Sequence, residues 1–175
     1  MLTVRKILAR KRLRLKDHNY AGSHSYFITI CVYDRKDCFG EIVNQKMELN
    51  EYGNIADQQF EWLQNQYPYV TISIWIIMPD HVHAIIEIID RVRSRPDPTS
   101  EFTKKNKIKP LPELIGAYKT TTSKKIHQSG FAAFRWQRSY HERIIRNKNQ
   151  FLRIYNYIDN NPVNYQDKTD ISDPQ

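Results

Sequence analysis

"MPDHVHAII", residues 78–86, lies in an apolar run that otherwise has the composition of a buried strand. Alternate side chains of a strand share a face. His81 and His83 therefore project together, while Val82, Ala84 and Ile86 face the other way. Two neutral imidazoles side by side can grip a divalent metal. They can equally be two polar residues on the wetter face of a sheet. Working outward, "YVTISIWIIMP" (69–79) and "HVHAIIEII" (81–89) read as two strands joined near Pro79.

The flanking segments supply the remaining elements. "SHSYFITICVYDR" (23–35), rich in β-branched and aromatic residues, predicts an earlier strand. "KMELNEYG" (46–53) predicts a short strand and turn. Ile55, Phe60, Trp62 and Leu63 recur at roughly helical spacing in "NIADQQFEWLQNQYP" (54–68), which predicts a helix ending before Pro68. "LPELIGAYKTTTSKKIHQSG" (111–130) predicts a helix closed by Gly130, and "FRWQRSYHERIIRN" (134–147) a strand. "KNQFLRIYNYIDNNP" (148–162) predicts a helix stopped at Pro162. The order strand, helix, strand, strand, helix, strand, helix implies an α+β fold. An antiparallel sheet covered by helices, with a ferredoxin-like or RRM-like core, satisfies it.

The chain has 175 residues, enough for one domain with a substantial core. No apolar run approaches the ~20 residues that cross a bilayer, and the start lacks the pattern of a secretory signal. A cytoplasmic protein without membrane association is expected, with Cys31 and Cys38 reduced. Net charge is +8 and the pI about 9.4. That balance points to a polyanionic partner, nucleic acid before membrane surface. The 11 tyrosines and 3 tryptophans interleave with Lys and Arg, a combination that suits base stacking on single strands, although most are expected in the core. Residues 1–22 form a basic arm carrying Arg5, Lys6, Arg10, Lys11, Arg12, Arg14 and Lys16. Residues 90–110 form a long loop carrying Lys104, Lys105 and Lys107. These two clusters are the expected phosphate contacts, and residues 166–175 read as a tail.

On the last helix Phe151, Ile154, Tyr155 and Ile158 form an i, i+3, i+4, i+7 stripe, read as the core face. Tyr157 lies beside that stripe among polar residues, either an ordinary surface residue or a presented nucleophile. Asn161 follows it by one turn, so the two side chains are neighbours. Pro162 disfavours helical backbone at Asn161 and puts it at the helix end. "NNP" is also plain helix-stop chemistry.

These pieces together resemble the single-tyrosine HUH transposases, in particular the REP-associated tyrosine transposases. "MPDHVHAII" resembles that family's His-hydrophobic-His strand, and "YFITICV" (26–32) its first strand. "RWQRSYHERIIRN" (135–147) followed by "YIDNNPV" (157–163) resembles its C-terminal signature. The resemblance covers about residues 23–165. It implies that His81, His83 and Asn161 are ligands of Mg²⁺ or Mn²⁺, and that Tyr157 is the nucleophile. It further implies that the chain binds hairpins in single-stranded DNA, cuts beside them through a 5′-phosphotyrosine and rejoins strands, as a monomer or homodimer. The chemistry is coherent. A phosphodiester repels an attacking phenolate, and a divalent metal offsets that charge. Asp80, Glu87, His141 and Glu142 are candidates for positioning or base roles. The competing expectation, from composition and layout alone, is a non-catalytic single-strand nucleic-acid-binding module with an RRM-like fold.

Overall fold

The structure, a computed structural model, describes residues 24–89 and 108–165. The basic arm with Arg10, Lys11, Arg12 and Arg14, the Lys104–Lys107 cluster and the C-terminal tail lie outside the described residues.

The first strand, β1 (His24–Cys31), is followed by a hairpin of β2 (Gly40–Val43) and β3 (Lys46–Leu49) and by helix α1 (Glu51–Gln66). Strands β4 (Val70–Met78) and β5 (His81–Ile88) come next, then α2 (Leu111–Gln128). The chain closes with β6 (His141–Ile145), α3 (Lys148–Asp159) and the one-turn α4 (Asn161–Asn164). The main sheet has the order β4-β5-β1-β6, with every neighbouring pair antiparallel. That is the ferredoxin-like arrangement, with β2–β3 inserted between the first strand and the first helix.

The two sheet faces are covered by different elements. Tyr26, Ile28, Ile30, Val82, Ala84 and Ile86 point to one face and form the larger core beneath α1 and α2, with Phe60, Leu63, Leu114 and Tyr118. Phe27 and Ile85 point to the other and pack with Ile154 and Ile158 of α3. Alternation along β5 thus places His81 and His83 on the α3 side.

Four expectations need correction. The predicted strand over 134–147 is real only from His141. Phe134 and Trp136 leave the strand direction to fill the larger core, and only a single bridge, Val32 to Trp136, extends the pairing. The β2 strand was not anticipated. Its turn at Asn44 and Gln45 has φ of 50° and 62°, the backbone of a tight hairpin. Helix α1 begins at Glu51, because the Asn50 side chain accepts from the Gly53 N–H at 3.0 Å. Finally, Tyr155 is not core. It is 36% exposed, and the buried stripe of α3 is Ile154 and Ile158, with Phe151 and Tyr157 packed at its margin.

Candidate active site

The β4–β5 connection is only Pro79–Asp80, and its backbone is pinned from several sides. The Pro79 carbonyl accepts from Cys38 N–H (2.8 Å) and Phe39 N–H (3.1 Å); the Asp80 carbonyl accepts from Val32 N–H (2.8 Å). A turn held this way positions the first residues of β5 rigidly. His81 and His83 are 4% and 1% exposed. The wetter-face alternative therefore does not apply, because α3 covers them.

A polar chain runs through the pair. Arg35 Nε lies 2.8 Å from Asp80 Oδ2. Asp80 Oδ1 lies 2.6 Å from His81 Nδ1. The Nε2 atoms of His81 and His83 approach to 3.1 Å. His83 Nδ1 lies 2.9 Å from Thr29 Oγ1, its cross-strand neighbour. Burial holds the His83 imidazolium well below its ordinary range; the nearby His81 adds to this, against a smaller opposing pull from the Ile28 carbonyl. His83 is therefore neutral, the form that ligates metals.

This donor set fits a divalent cation. The Asp80 carboxylate accepts from Nδ1–H of His81 and leaves its Nε2 lone pair free. When the Thr29 hydroxyl accepts from Nδ1–H of His83, the two Nε2 atoms, 3.1 Å apart, both present a lone pair of the kind that ligates a cation. Two ligands at about 2.1 Å, set at right angles on an octahedral ion, stand about 3 Å apart. Among the described residues no group of three His, Cys, Asp or Glu side chains converges to hold a metal. Asn161 is buried at the start of α4, one turn past Tyr157. It forms no hydrogen bond with either histidine among the described residues.

Tyr157 is half-buried on the α3 face that meets the sheet. Its ring stands edge-on to His83, with centroids 5.5 Å apart at 65°, and edge-on to Phe27 at 6.0 Å. Helix α3 starts at Asn147, whose side chain caps the Gln150 N–H at 2.9 Å. Ile154 and Ile158 then set its rotation, and that phase turns Tyr157 toward the histidines and Tyr155 away.

The other candidates separate clearly. Asp80 touches His81 directly. Glu87 lies on the histidine face four residues along β5 and is engaged by Ser25 and Ser73. Glu142 pairs in register with Ile28, so it points to the opposite face and takes no part in the histidine network. His141 pairs with Thr29 and is exposed on the histidine side of the edge strand. Two residues of the network, Arg35 and Thr29, were not anticipated. Thr29 was legible in principle, being an even number of residues from the face-defining Phe27. Arg35 carried no local signal.

No family model matches the chain. An uncharacterized protein of Haemophilus influenzae is 35% identical over 159 residues, covering 88% of each chain. The two belong to one family. A second protein of that organism, provisionally named a REP-associated tyrosine transposase, is 26% identical over 140 residues, 80% of this chain and 70% of its own length. A REP-associated tyrosine transposase solved bound to a REP hairpin has the same fold, with a TM-score of 0.57 at 17% identity. That match covers 89% of this chain and 73% of the solved one. The chain resembles the REP-associated tyrosine transposases. What it shares with the solved REP-associated tyrosine transposase is the α+β architecture, a four-stranded antiparallel sheet with helices packed against it. No helix among the described residues is long and apolar enough to cross a membrane.

Proposed function

We propose that the chain is a metal-dependent single-stranded DNA transposase of the single-tyrosine HUH type. It binds hairpin DNA, cleaves beside it through a 5′-phosphotyrosine and rejoins strands. Tyr157 is the nucleophile, and His81, His83 and Asn161 hold Mg²⁺ or Mn²⁺. The observation that carries this reading is the edge-on approach of the Tyr157 ring to buried, neutral His83.

Bound Mg²⁺ or Mn²⁺ supplies positive charge against the scissile phosphate and its developing negative charge. The chain's own residues do the rest. Asp80 and Thr29 fix the two imidazole rings and their tautomers. Phe27 and the sheet hold the Tyr157 ring in place. A phenol has a pKa near 10, so attack requires loss of the Tyr157 proton. Oη then forms a bond to phosphorus as the bond from phosphorus to the 3′ oxygen breaks, and that oxygen leaves as a hydroxyl after taking up a proton. The phosphoester linkage is conserved on Tyr157. A 3′-OH can therefore attack it, release the tyrosine and rejoin strands without ATP.

Incubating the protein with a labelled single-stranded hairpin oligonucleotide and Mn²⁺, followed by denaturation, should yield protein-linked DNA. Tyr157→Phe should fold and bind the oligonucleotide, yet form no adduct. Tyr155→Phe, altered on the exposed side of α3, should form it normally. An adduct that persists in Tyr157→Phe would assign the nucleophile elsewhere. Cleavage without any adduct would mean that water attacks, and binding without cleavage would favour the non-catalytic module.

A further inference from the structure

The end of the sheet that carries His81 has a second feature, built on the chain leaving β1. After Cys31 the backbone turns sharply, with φ of 59° at Asp34 and 51° at Arg35. Two consecutive non-glycine residues in left-handed backbone persist only where their surroundings hold them. Here Tyr33 N–H donates to the Arg135 carbonyl at 2.8 Å, and the Arg35 guanidinium lies on Asp80. The turn presents Tyr33 outward, 55% exposed. The Arg135 guanidinium lies over the Tyr33 ring, 4.9 Å from its centroid.

Arg135 and Phe134 line two clefts. One, of about 550 Å³, contains Tyr33, Asp34, Arg35, Lys36 and Asp37. The other, of about 680 Å³, lies against α2 and contains Thr120, Ser123, Lys124 and His127. Those four positions fall on one helix face, at i, i+3, i+4 and i+7. The two clefts differ in chemistry. The first mixes two carboxylates with the cations Arg35 and Lys36, whereas the hydroxyls and lysines of the second suit a phosphate. An aromatic ring backed by a guanidinium is a stacking surface for any base.

We infer that Tyr33 and Arg135 form a stacking platform for a base of single-stranded DNA, whose phosphate backbone continues over Ser123 and Lys124 of α2. The identity of the partner as DNA rests on the transposase reading above. The platform adjoins the histidine site through Arg35, two residues from Tyr33 and paired with the carboxylate that touches His81. A strand stacked on Tyr33 is thereby held at the end of the sheet that carries His81.

Fluorescence anisotropy with a fluorescein-labelled deoxythymidine oligomer, and with the same oligomer annealed to its complement, tests this. Tyr33→Ala should weaken single-strand binding about ten-fold, leave duplex binding unchanged and keep the salt dependence of the wild type. Tyr33→Phe, which retains the ring, should bind as the wild type does. Lys124→Ala should weaken binding and make the slope of log affinity against log salt shallower by about one. Thermal melts confirm that each variant is folded. Unchanged single-strand affinity in Tyr33→Ala overturns the inference. So does an equal loss on duplex, a Tyr33→Phe as weak as Tyr33→Ala, an unaltered salt slope in Lys124→Ala, or a wild type that does not bind the oligomer. Failure of the Tyr157 adduct together with intact ring-dependent binding would refute the catalytic reading alone.

Discussion

His83 shows how burial sets chemistry at the scale of one residue. Its ring is almost wholly enclosed by β1, β5 and α3, and burial before any other cause holds its pKa well below 6.5. The unfolded chain binds a proton there near pH 6.5, whereas the folded chain does so only at lower pH. The unfolded state thus carries more protons between those values, and stability falls as pH drops through 6.5. Above 6.5 the group contributes no such pH dependence. In the presence of chelator, the melting temperature should fall between neutral and mildly acidic pH. His83→Gln, which has no titrating ring, should show a smaller fall. An equal fall in both proteins would assign the acid sensitivity to other groups. The same scale explains Tyr155 and Tyr157. They are two residues apart, yet one faces solvent and the other faces the histidines, because their positions on the helix differ by about 200°.

At the scale of elements, α1 closely approaches the residue that leads into the β2–β3 hairpin. A Cβ on Gly53 would stand 2.1 Å from the Phe39 carbonyl oxygen, a backbone atom that cannot swing aside. Helix propensity alone favours Gly→Ala by about 0.8–1.0 kcal/mol. At Gly53 the contact should win, and Gly53→Ala should be destabilised by about 1–3 kcal/mol, the usual cost of overpacking. Gly116, inside α2, is exposed, and a Cβ added there would meet nothing within 4 Å. Gly116→Ala should therefore be stabilised by up to about 1 kcal/mol. Urea unfolding of the two variants reads both signs. A stable Gly53→Ala would mean that the hairpin shifts freely against α1, and the Pro79–Asp80 turn bound to Phe39 would be less rigid than described.

At the scale of the whole molecule, charge and architecture divide the work. The net charge of +8 over 175 residues supports affinity for a polyanion that depends on salt rather than on sequence. Its densest parts, around Arg10–Lys16 and Lys104–Lys107, lie outside the described residues. Neutralising either cluster should weaken DNA binding and flatten its salt dependence, read as the slope of log affinity against log salt. An unchanged slope would mark that cluster as solvated charge. The ferredoxin-like sheet contributes something different. It brings β5 and β1 together in the centre, so that the histidines, Thr29 and Asp80 are buried and held by one hydrogen-bonded chain.

What the sequence determined by itself follows from local spacing. Alternation in "HVHAII" is enough to put His81 and His83 on one face, and the apolar runs around it are enough to predict β1, β4 and β5. Breakers marked the ends of α2 and α3 to within two or three residues, Gly130 against Gln128 and Pro162 against Asp159, and Pro162 itself falls in the helical turn of α4. Periodicity, however, defines which residues share a face and not which face meets the sheet. Phe151, Ile154, Tyr155 and Ile158 form a sound stripe, but packing against Phe27 and Ile85 selected the phase that excludes Tyr155 and admits Tyr157. Register decided in the same way that Glu142 faces away from the histidines while His141 faces toward them. The Arg35–Asp80 pair joins residues 45 positions apart through a left-handed turn. Such a contact arises only when the chain closes on itself, because the energy that holds the turn comes from groups that are distant in sequence.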